Sequence, residues 1–134
     1  MLRAKDVMST DIIGVKEDEP IFEAVKLLVE NNISGLPVVD DNMALTGILS
    51  EKDLVNLFYE HEDADGKTVG DYMTRPAVSF EENDALLNVC NFLLKNIFRR
   101  VPVTSDGRLI GIISIQDVLK SILQLKQKEV LAAN

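Results

Sequence analysis

Two serine and aspartate pairs share the same spacing in this sequence, at Ser50 to Asp53 and at Ser114 to Asp117. Serine is favoured at the start of a helix, because its hydroxyl accepts a hydrogen bond from a backbone N–H of the first turn. An acidic residue three positions later can bond back to the serine N–H, which completes a capping box. Taken singly, each pair is therefore better explained as a helix cap than as a binding site. Each aspartate is nevertheless ionised at neutral pH and is a strong hydrogen-bond acceptor.

The segments around these pairs are duplicated. A constant offset aligns Asp6, Met8, Asn31, Pro37 and Val38 with Asp71, Met73, Asn96, Pro102 and Val103. After one residue is dropped in a loop, Gly47, Ile48, Ser50 and Asp53 align with Gly111, Ile112, Ser114 and Asp117. A match this long is typical of an internal structural repeat. We predict one unit at residues 1–59, a solvated acidic linker at 60–67, a second unit at 68–126 and a C-terminal tail at 127–134, whose last residues fray.

Each repeat shows the same order of predicted elements. The first strands are predicted at Ile12–Val15 and Ala77–Phe80, followed by helices that open near Asp18-Glu19-Pro20 and Asn83-Asp84. The predicted buried stripes are Ile21, Ala24, Val25 and Leu28 in one helix, and Leu86, Val89, Cys90, Leu93 and Leu94 in the other. Strands Leu36–Val39 and Val101–Thr104 contain a proline, which favours a strand start or edge. They form hairpins with Leu45–Leu49 and Leu109–Ile113, and a last helix begins at Ser50 or Ser114. The predicted class is α/β, with two βαββα units.

Composition limits the partners of this chain. Its 134 residues carry a net charge of −8, which argues against binding to nucleic acid or to an anionic membrane surface. Its apolar runs fall far short of the roughly 20 residues of a membrane-spanning helix. The first residues lack the features of a secretory signal, so we expect a cytoplasmic protein. The lone Cys90 is expected to act as a small core residue, and His61 has no neighbour that could complete a metal site.

The duplicated pattern resembles the CBS domain pair, also called the Bateman module, over about residues 4–126. The matching segments are D-V-M-S-T and D-Y-M-T-R, L-P-V-V-D and V-P-V-T-S, and G-I-L-S-E-K-D-L and G-I-I-S-I-Q-D-V. The resemblance implies two units packed about a pseudo-twofold axis with clefts between them. It also implies association of two modules into a homodimer, and binding of adenosine-containing ligands such as AMP, ADP, ATP or S-adenosylmethionine.

The resemblance also assigns expected roles to site residues. Asp53 and Asp117 would accept hydrogen bonds from the ribose hydroxyls, and Ser50 and Ser114 would lie at the helix starts that face a phosphate. Adenine would contact main-chain groups and apolar walls, for which the candidates are Ile12, Ile13, Leu36, Pro37, Ala77, Val78, Val101 and Pro102. Thr10 and Thr74 lie at turn positions, where a hydroxyl commonly caps its own backbone, although a ligand role is possible. Met8 and Met73 are expected to fill gaps in the core.

Basic residues make the two repeats unequal. Arg99 and Arg100 precede the second Pro-Val segment, whereas Ser34 and Gly35 stand at the same place in the first. The arginines, together with Arg75, are candidates to neutralise a phosphate, and the alternative is a solvated pair that forms weak ion pairs. We expect the cleft of Asp117 to prefer the phosphorylated ligand.

The expected function is a non-catalytic sensor whose adenosyl ligand alters association with an unidentified partner protein. The sequence shows no nucleophile paired with a histidine base and no phosphate-binding loop of the P-loop type. No catalytic cofactor or metal is expected. The alternative is a divalent-cation-responsive or purely structural dimerisation module, because the acidic runs at residues 60–63 and 81–84 supply oxygen ligands. Such runs are more often solvated surface.

Overall fold

A computed structural model describes residues 1–133 of the chain. The helices are α1 (Ala4–Val7), α2 (Ile21–Asn31), α3 (Glu51–Leu54), α4 (Leu57–Glu60), α5 (Val69–Tyr72), α6 (Leu86–Lys95) and α7 (Ile115–Ala133). The strands are β1 (Gly35–Val39), β2 (Leu45–Ser50), β3 (Phe80–Glu81), β4 (Arg100–Ser105) and β5 (Arg108–Ser114). The mixed α/β class with two tandem units is confirmed. The second repeat shows the full βαββα order, and in the first repeat a single bridge at Val15 replaces the first strand.

The hairpins form as the sequence predicts, but the first strand of each repeat is shorter. β1 and β2 pair antiparallel, while β3, β4 and β5 form a three-stranded sheet in that order. Val15 makes a single parallel bridge to Val38, and β3 pairs in parallel with β4 over only two residues. The strands predicted at Ile12–Val15 and Ala77–Phe80 are therefore too long. Because β3 reaches only Val103 and Thr104, β4 is free of a β3 partner at Pro102, which explains how a middle strand contains a proline.

The two long first helices bury one face each. α2 buries Ile21, Ala24 and Leu28, and α6 buries Leu86 and Val89. Leu94 is 84% exposed, so its place in the predicted buried stripe is wrong. Leu93, seven residues after Leu86, continues the inward face of α6, whereas Leu94 lies one heptad after the exposed Leu87.

The chain divides into two compact units that do not follow the order of the repeats. The central unit contains residues 13–78 and 106–109, and the terminal unit contains residues 1–12, 79–105 and those from 110 onward. Each unit has its own apolar core, around Leu36 and Leu49 in the central unit and around Val101 and Ile113 in the terminal unit. The segment that leads the second repeat, residues 68–78, thus belongs to the unit formed by the first repeat, and residues 1–12 belong to the unit formed by the second.

These leading segments are held by equivalent contacts. The Ser9 N–H and C=O bond to the backbone of Ile112 at 2.8 and 2.9 Å, and Thr74 does the same with Ile48 at 2.8 and 3.0 Å. The preceding methionine covers a glycine of the strand, Met8 over Gly111 and Met73 over Gly47. The methionines therefore fill the gaps expected of them, and the two strand glycines provide the space.

The acidic linker and the C-terminal tail are more ordered than the sequence suggests. Within the acidic stretch 60–67, Ala64 is 2% exposed and packs into the core of the central unit. The C-terminal tail is helical, since α7 continues to Ala133, although its last residue Asn134 lies outside the described part. Within residues 1–133, no helix combines the length and the apolar character needed to cross a bilayer.

Candidate functional site

Both Ser-x-x-Asp pairs form capping boxes with nearly identical geometry. The Oδ2 atom of Asp53 accepts the Ser50 N–H at 2.9 Å and the Ser50 hydroxyl at 3.0 Å. The Oδ2 atom of Asp117 accepts the same two groups of Ser114 at 2.9 and 3.0 Å. In return, each serine Oγ accepts the aspartate N–H, at 3.3 Å in the first pair and 3.1 Å in the second. Both carboxylates are half-buried and fixed in orientation by the start of their own helix.

The same cap occurs where no ligand role is expected. At the start of α5, the Oδ2 atom of Asp71 accepts the Thr68 N–H at 2.8 Å and the Thr68 hydroxyl at 3.2 Å. The backbone bond from Thr68 is the main cause that lowers the pKa of the Asp71 carboxyl. A capping box is therefore a structural feature of this chain, and a binding role has to rest on the other carboxylate oxygen, Oδ1.

The backbone donors at these helix starts are mostly satisfied. The N–H of Ile115, the first residue of α7, bonds to the Arg99 carbonyl at 3.0 Å, and the N–H of Glu51 bonds to the Ser34 carbonyl at 2.9 Å. Together with the caps, these bonds leave the second N–H of the turn as the open backbone donor within the described residues. A phosphate at α7 would meet one amide, that of Gln116, so it would need cationic side chains as well.

The Oδ1 atoms distinguish the two aspartates. Oδ1 of Asp53 accepts the Thr74 hydroxyl at 3.1 Å. Thr74 aligns with Ser9, but the Ser9 hydroxyl accepts the Asp11 N–H at 3.3 Å, and in residues 1–133 no group bonds to Oδ1 of Asp117. Thr74 thus caps a side chain rather than its own backbone. A carboxylate accepts about four hydrogen bonds, so about two positions are open on Asp117 and about one on Asp53.

A small cavity opens beside Asp117. It has a volume of about 140 Å³ and is lined by Asp6, Val7, Asp117, Lys120, Ser121 and Gln124. Pockets for whole small molecules are usually about 300–1,000 Å³, so this cavity matches a sugar-sized part of a ligand. Lys120 adds a cation that the sequence reasoning missed. The signal that could have indicated it is its position three residues after Asp117 on α7, because helical side chains at this spacing are neighbours.

The three candidate arginines have different environments. Arg75 forms an ion pair with Glu17, which occupies its guanidinium. Within the described part of the chain, Arg99 and Arg100 form no ion pair; Arg99 is exposed and Arg100 is half-buried. The Arg99 carbonyl bond to Ile115 also places this residue directly at the start of α7. Arg99 and Arg100 are therefore free to meet an anion, whereas Arg75 has a partner.

The predicted adenine wall is reduced by the structure. Leu36 is 0% exposed and Val101 is 2% exposed, both within cores, and Pro37 and Pro102 are buried as well. These four side chains offer a ligand almost no surface, because successive residues are buried along β1 and β4 and both faces of each strand are covered.

The main-chain candidates keep more surface. Ile12, Ile13 and Ala77 are half-buried and Val78 is 49% exposed, while the Ile12 N–H is taken by the Thr10 carbonyl at 3.0 Å. Ile13 also packs against the core of the central unit. Among residues 1–133, no cluster of three or more His, Cys, Asp or Glu side chains is arranged to hold a metal ion.

The fold and these sites define a duplicated α/β module with one Ser-x-x-Asp cap in each repeat. The sequence matches the CBS domain family over residues 4–60 and 69–124, so the chain belongs to this family and is a CBS-pair regulatory module.

Similar proteins share this architecture. The CBS domain-containing protein CBSX1 of Arabidopsis thaliana is 34% identical over 87% of this chain. The chain spans 41% to 61% of the length of CBSX1 and of two further curated relatives. A crystal structure of CBSX2 in complex with AMP has a TM-score of 0.84 and 36% identity, covering 94% of this chain and 99% of that one. The crystal structure of the CBS domain pair of MJ0100 with 5′-methylthioadenosine and S-adenosyl-L-methionine has a TM-score of 0.76 and 28% identity. It covers 91% of this chain and 96% of that one.

Proposed function

We propose that this CBS pair is a non-catalytic sensor that binds an adenosine-containing ligand at Asp117 and thereby changes how it associates with other proteins. The observation that carries the proposal is the half-buried Asp117 carboxylate, whose Oδ2 is fixed by Ser114 and whose Oδ1 is open. Two open acceptor positions match the 2′- and 3′-hydroxyls of a ribose. The AMP complex of CBSX2 and the complex of the MJ0100 pair support the ligand class.

Charge around Asp117 supports a phosphorylated extension of the ligand. Arg99 and Arg100 lie at the start of β4, where the Arg99 carbonyl accepts the first N–H of α7. Lys120 lines the cavity, and the Gln116 amide is open. These groups can neutralise a phosphate locally in a chain whose net charge is −8. Asp53 with Ser50 is the equivalent position in the first repeat. Adenine would contact the main chain around Ile12, which lies in the same unit as Asp117 and is half-buried.

Isothermal titration of AMP, ADP, ATP and S-adenosylmethionine tests the proposal. We expect at least one of these ligands to bind, and Asp117→Ala to abolish the binding, because the ribose loses its acceptor. At a hundredfold excess over the dissociation constant, the bound ligand should stabilise the fold by about 2.7 kcal/mol.

Asp71→Ala is the matched control for this experiment. It removes a capping aspartate of the same geometry, but it leaves the proposed site intact. Equal loss of binding in both variants would trace the effect to helix capping. A thermal shift with magnesium alone, and none with any nucleotide, would favour a cation-responsive module instead.

We also propose a homodimer formed by exposed apolar residues that recur in both repeats. The first repeat exposes Phe22, Val29, Val55, Phe58 and Tyr59 by 40% to 83%, and the aligned residues Leu87, Leu94, Leu119, Ile122 and Leu123 are 51% to 84% exposed. Exposed apolar side chains that neighbour one another on a helix, as in each of these sets, are typical of an interaction site. In a symmetric dimer, the same residues of both copies form the interface. The same proposal places the protein in the cytoplasm, where it would regulate a partner protein.

A further inference from the structure

The Asp53 site differs from the Asp117 site because two of its groups have partners within the chain. These groups are the Asp53 carboxylate, which would bind a ribose, and the Arg75 guanidinium, which would bind a phosphate. We propose that Thr74 and Glu17 close the Asp53 site to the ligand, so that the wild-type chain binds at Asp117 alone. This inference rests on the proposed function, since it states which of two equivalent positions is occupied and which residues decide it.

The first internal partner is the Thr74 hydroxyl. Oδ2 of Asp53 already accepts two hydrogen bonds from Ser50, and Oδ1 accepts the Thr74 hydroxyl at 3.1 Å. About one of the four acceptor positions is left, although a ribose presents two neighbouring hydroxyls. Thr74 therefore stands where a ribose hydroxyl would have to bond, and it is held there by the backbone bonds of Thr74 to Ile48.

The second internal partner is the Glu17 carboxylate. It forms an ion pair with Arg75, the residue that follows Thr74 on the same segment. The Gly70 N–H donates to the Glu17 carbonyl at 2.9 Å, which ties the backbone of Glu17 to that segment and keeps the pair together. An anion approaching Arg75 thus meets a guanidinium whose charge Glu17 already neutralises.

Glu17 aligns with Glu82, whose carbonyl accepts the Lys5 N–H at 2.9 Å in the same way, but within the described residues neither the hydroxyl bond to Oδ1 nor the ion pair recurs near Asp117. Ser9 aligns with Thr74, but its hydroxyl accepts the Asp11 N–H, and Thr10 stands where the second repeat has Arg75. The cations near Asp117 come instead from Arg99 and Arg100, which are without ion pairs in the described residues. The two repeats therefore share the capping aspartate and differ in the side chains that cover it.

The test measures AMP and S-adenosylmethionine binding calorimetrically in an Asp117→Ala background, where any binding must come from the other repeat. We expect no measurable binding by Asp117→Ala itself. Adding Thr74→Val and Glu17→Gln should restore binding, with an affinity at least about tenfold above the detection limit set by the parent variant, because an acceptor for a charged hydrogen bond is released. In the wild-type background, the same two substitutions should raise the stoichiometry from one to two.

Three controls separate this effect from general changes in charge or stability. Thr74→Ser keeps the hydroxyl and should leave the site closed. Asp41→Asn removes one negative charge and the Lys16 ion pair without touching Arg75, and should not restore binding. Ser9→Ala removes the aligned hydroxyl and should leave the stoichiometry at one. The Thr74 and Glu17 side chains both reach solvent, so the variants are expected to fold. A thermal unfolding measurement on each variant checks this independently.

The outcomes are distinct for the two proposals. If the wild-type chain binds one ligand and the triple variant binds none, Thr74 and Glu17 do not close the Asp53 site, while the proposed function stands. A wild-type stoichiometry of two with equal affinities also overturns the inference. If neither AMP, ADP, ATP nor S-adenosylmethionine binds the wild type, the proposed function itself fails.

Discussion

Asp71 is a capping carboxylate whose pKa is lowered by the cap that it forms. The Thr68 N–H and hydroxyl bond to it, and the bond from the N–H is the main cause of its lowered pKa. A carboxyl whose pKa is lower in the folded state stabilises the fold above its unfolded pKa, and this contribution is lost as the pH falls through the folded value.

We therefore predict that Asp71 titrates below the ordinary range for aspartate in an NMR titration of the folded chain. Thr68→Ala should raise this pKa only in part, because the larger cause is a backbone bond that the variant keeps. Asp71→Asn should remove the corresponding loss of thermal stability in acid. An Asp71 pKa at its ordinary value would contradict the capping geometry.

A second residue pair gives a different prediction. A Cβ at Gly111 would lie 2.5 Å from the Met8 Sδ, so Gly111→Ala should lower the free energy of unfolding by about 1–3 kcal/mol. A Cβ at Gly47 would meet Met73 and also lie 2.7 Å from the Thr74 carbonyl oxygen. Shortening the methionine should therefore relieve Gly111→Ala more than Gly47→Ala.

Double-mutant cycles in urea measure this difference. The coupling energy between Gly111→Ala and Met8→Ala should exceed the coupling between Gly47→Ala and Met73→Ala, because a backbone carbonyl cannot be shortened. Equal coupling in the two cycles would show that the side chains alone decide the fit.

At the residue scale, local pairs were predictable and distant ones were not. The caps of Ser50 and Ser114 follow from a spacing of three residues, and the gap-filling role of Met8 and Met73 follows from residue type. The bond from Thr74 to Asp53 depends on which unit the second leading segment joins, and nothing in the local pattern encodes that choice.

At the scale of elements, the leading segments are the parts that the sequence placed least well. Their order along the chain suggests that residues 1–12 belong with the first repeat, yet they complete the terminal unit. Ala4 is fully buried there, the Leu86 N–H bonds to the Leu2 carbonyl at 3.0 Å, and Ser9 bridges to Ile112. Helices and hairpins were easier to predict, since periodicity and turn residues act within a few positions.

We predict that deleting residues 1–9 destabilises the chain by more than about 2 kcal/mol, because it leaves the first amide of α6 and the Ile112 backbone without partners. Removing residues 127–134 from the exposed end of α7 is the control and should cost less. Adding a synthetic peptide of residues 1–12 should raise the melting temperature of the shortened chain. Equal melting temperatures for the two truncations would contradict the role of the leading segment.

At the scale of the whole molecule, the net charge and the exposed apolar residues act in opposite directions. A net charge of −8 opposes association of copies. The exposed apolar residues that recur in both repeats, which we call the apolar stripes and which include those of α2, α4, α6 and α7, favour it. Burying apolar surface stabilises by roughly 25 cal/mol per Å². A dimer that covers these residues can therefore outweigh charge repulsion at physiological ionic strength, where charges more than about 8 Å apart are largely screened.

We therefore predict a dimer in sedimentation equilibrium at micromolar concentration, and a monomer for the double variant Leu94→Glu and Ile122→Glu. Both side chains are more than half exposed in the single chain, so the variants should keep its fold, and their charges would face each other across the interface. Leu131→Glu is the matched control, because Leu131 is 75% exposed but lies outside the repeated stripes. If Leu131→Glu dissociates the dimer and the double variant does not, the contact lies at the end of α7. A wild-type monomer at these concentrations would leave the stripes free for the regulated partner instead of a second copy.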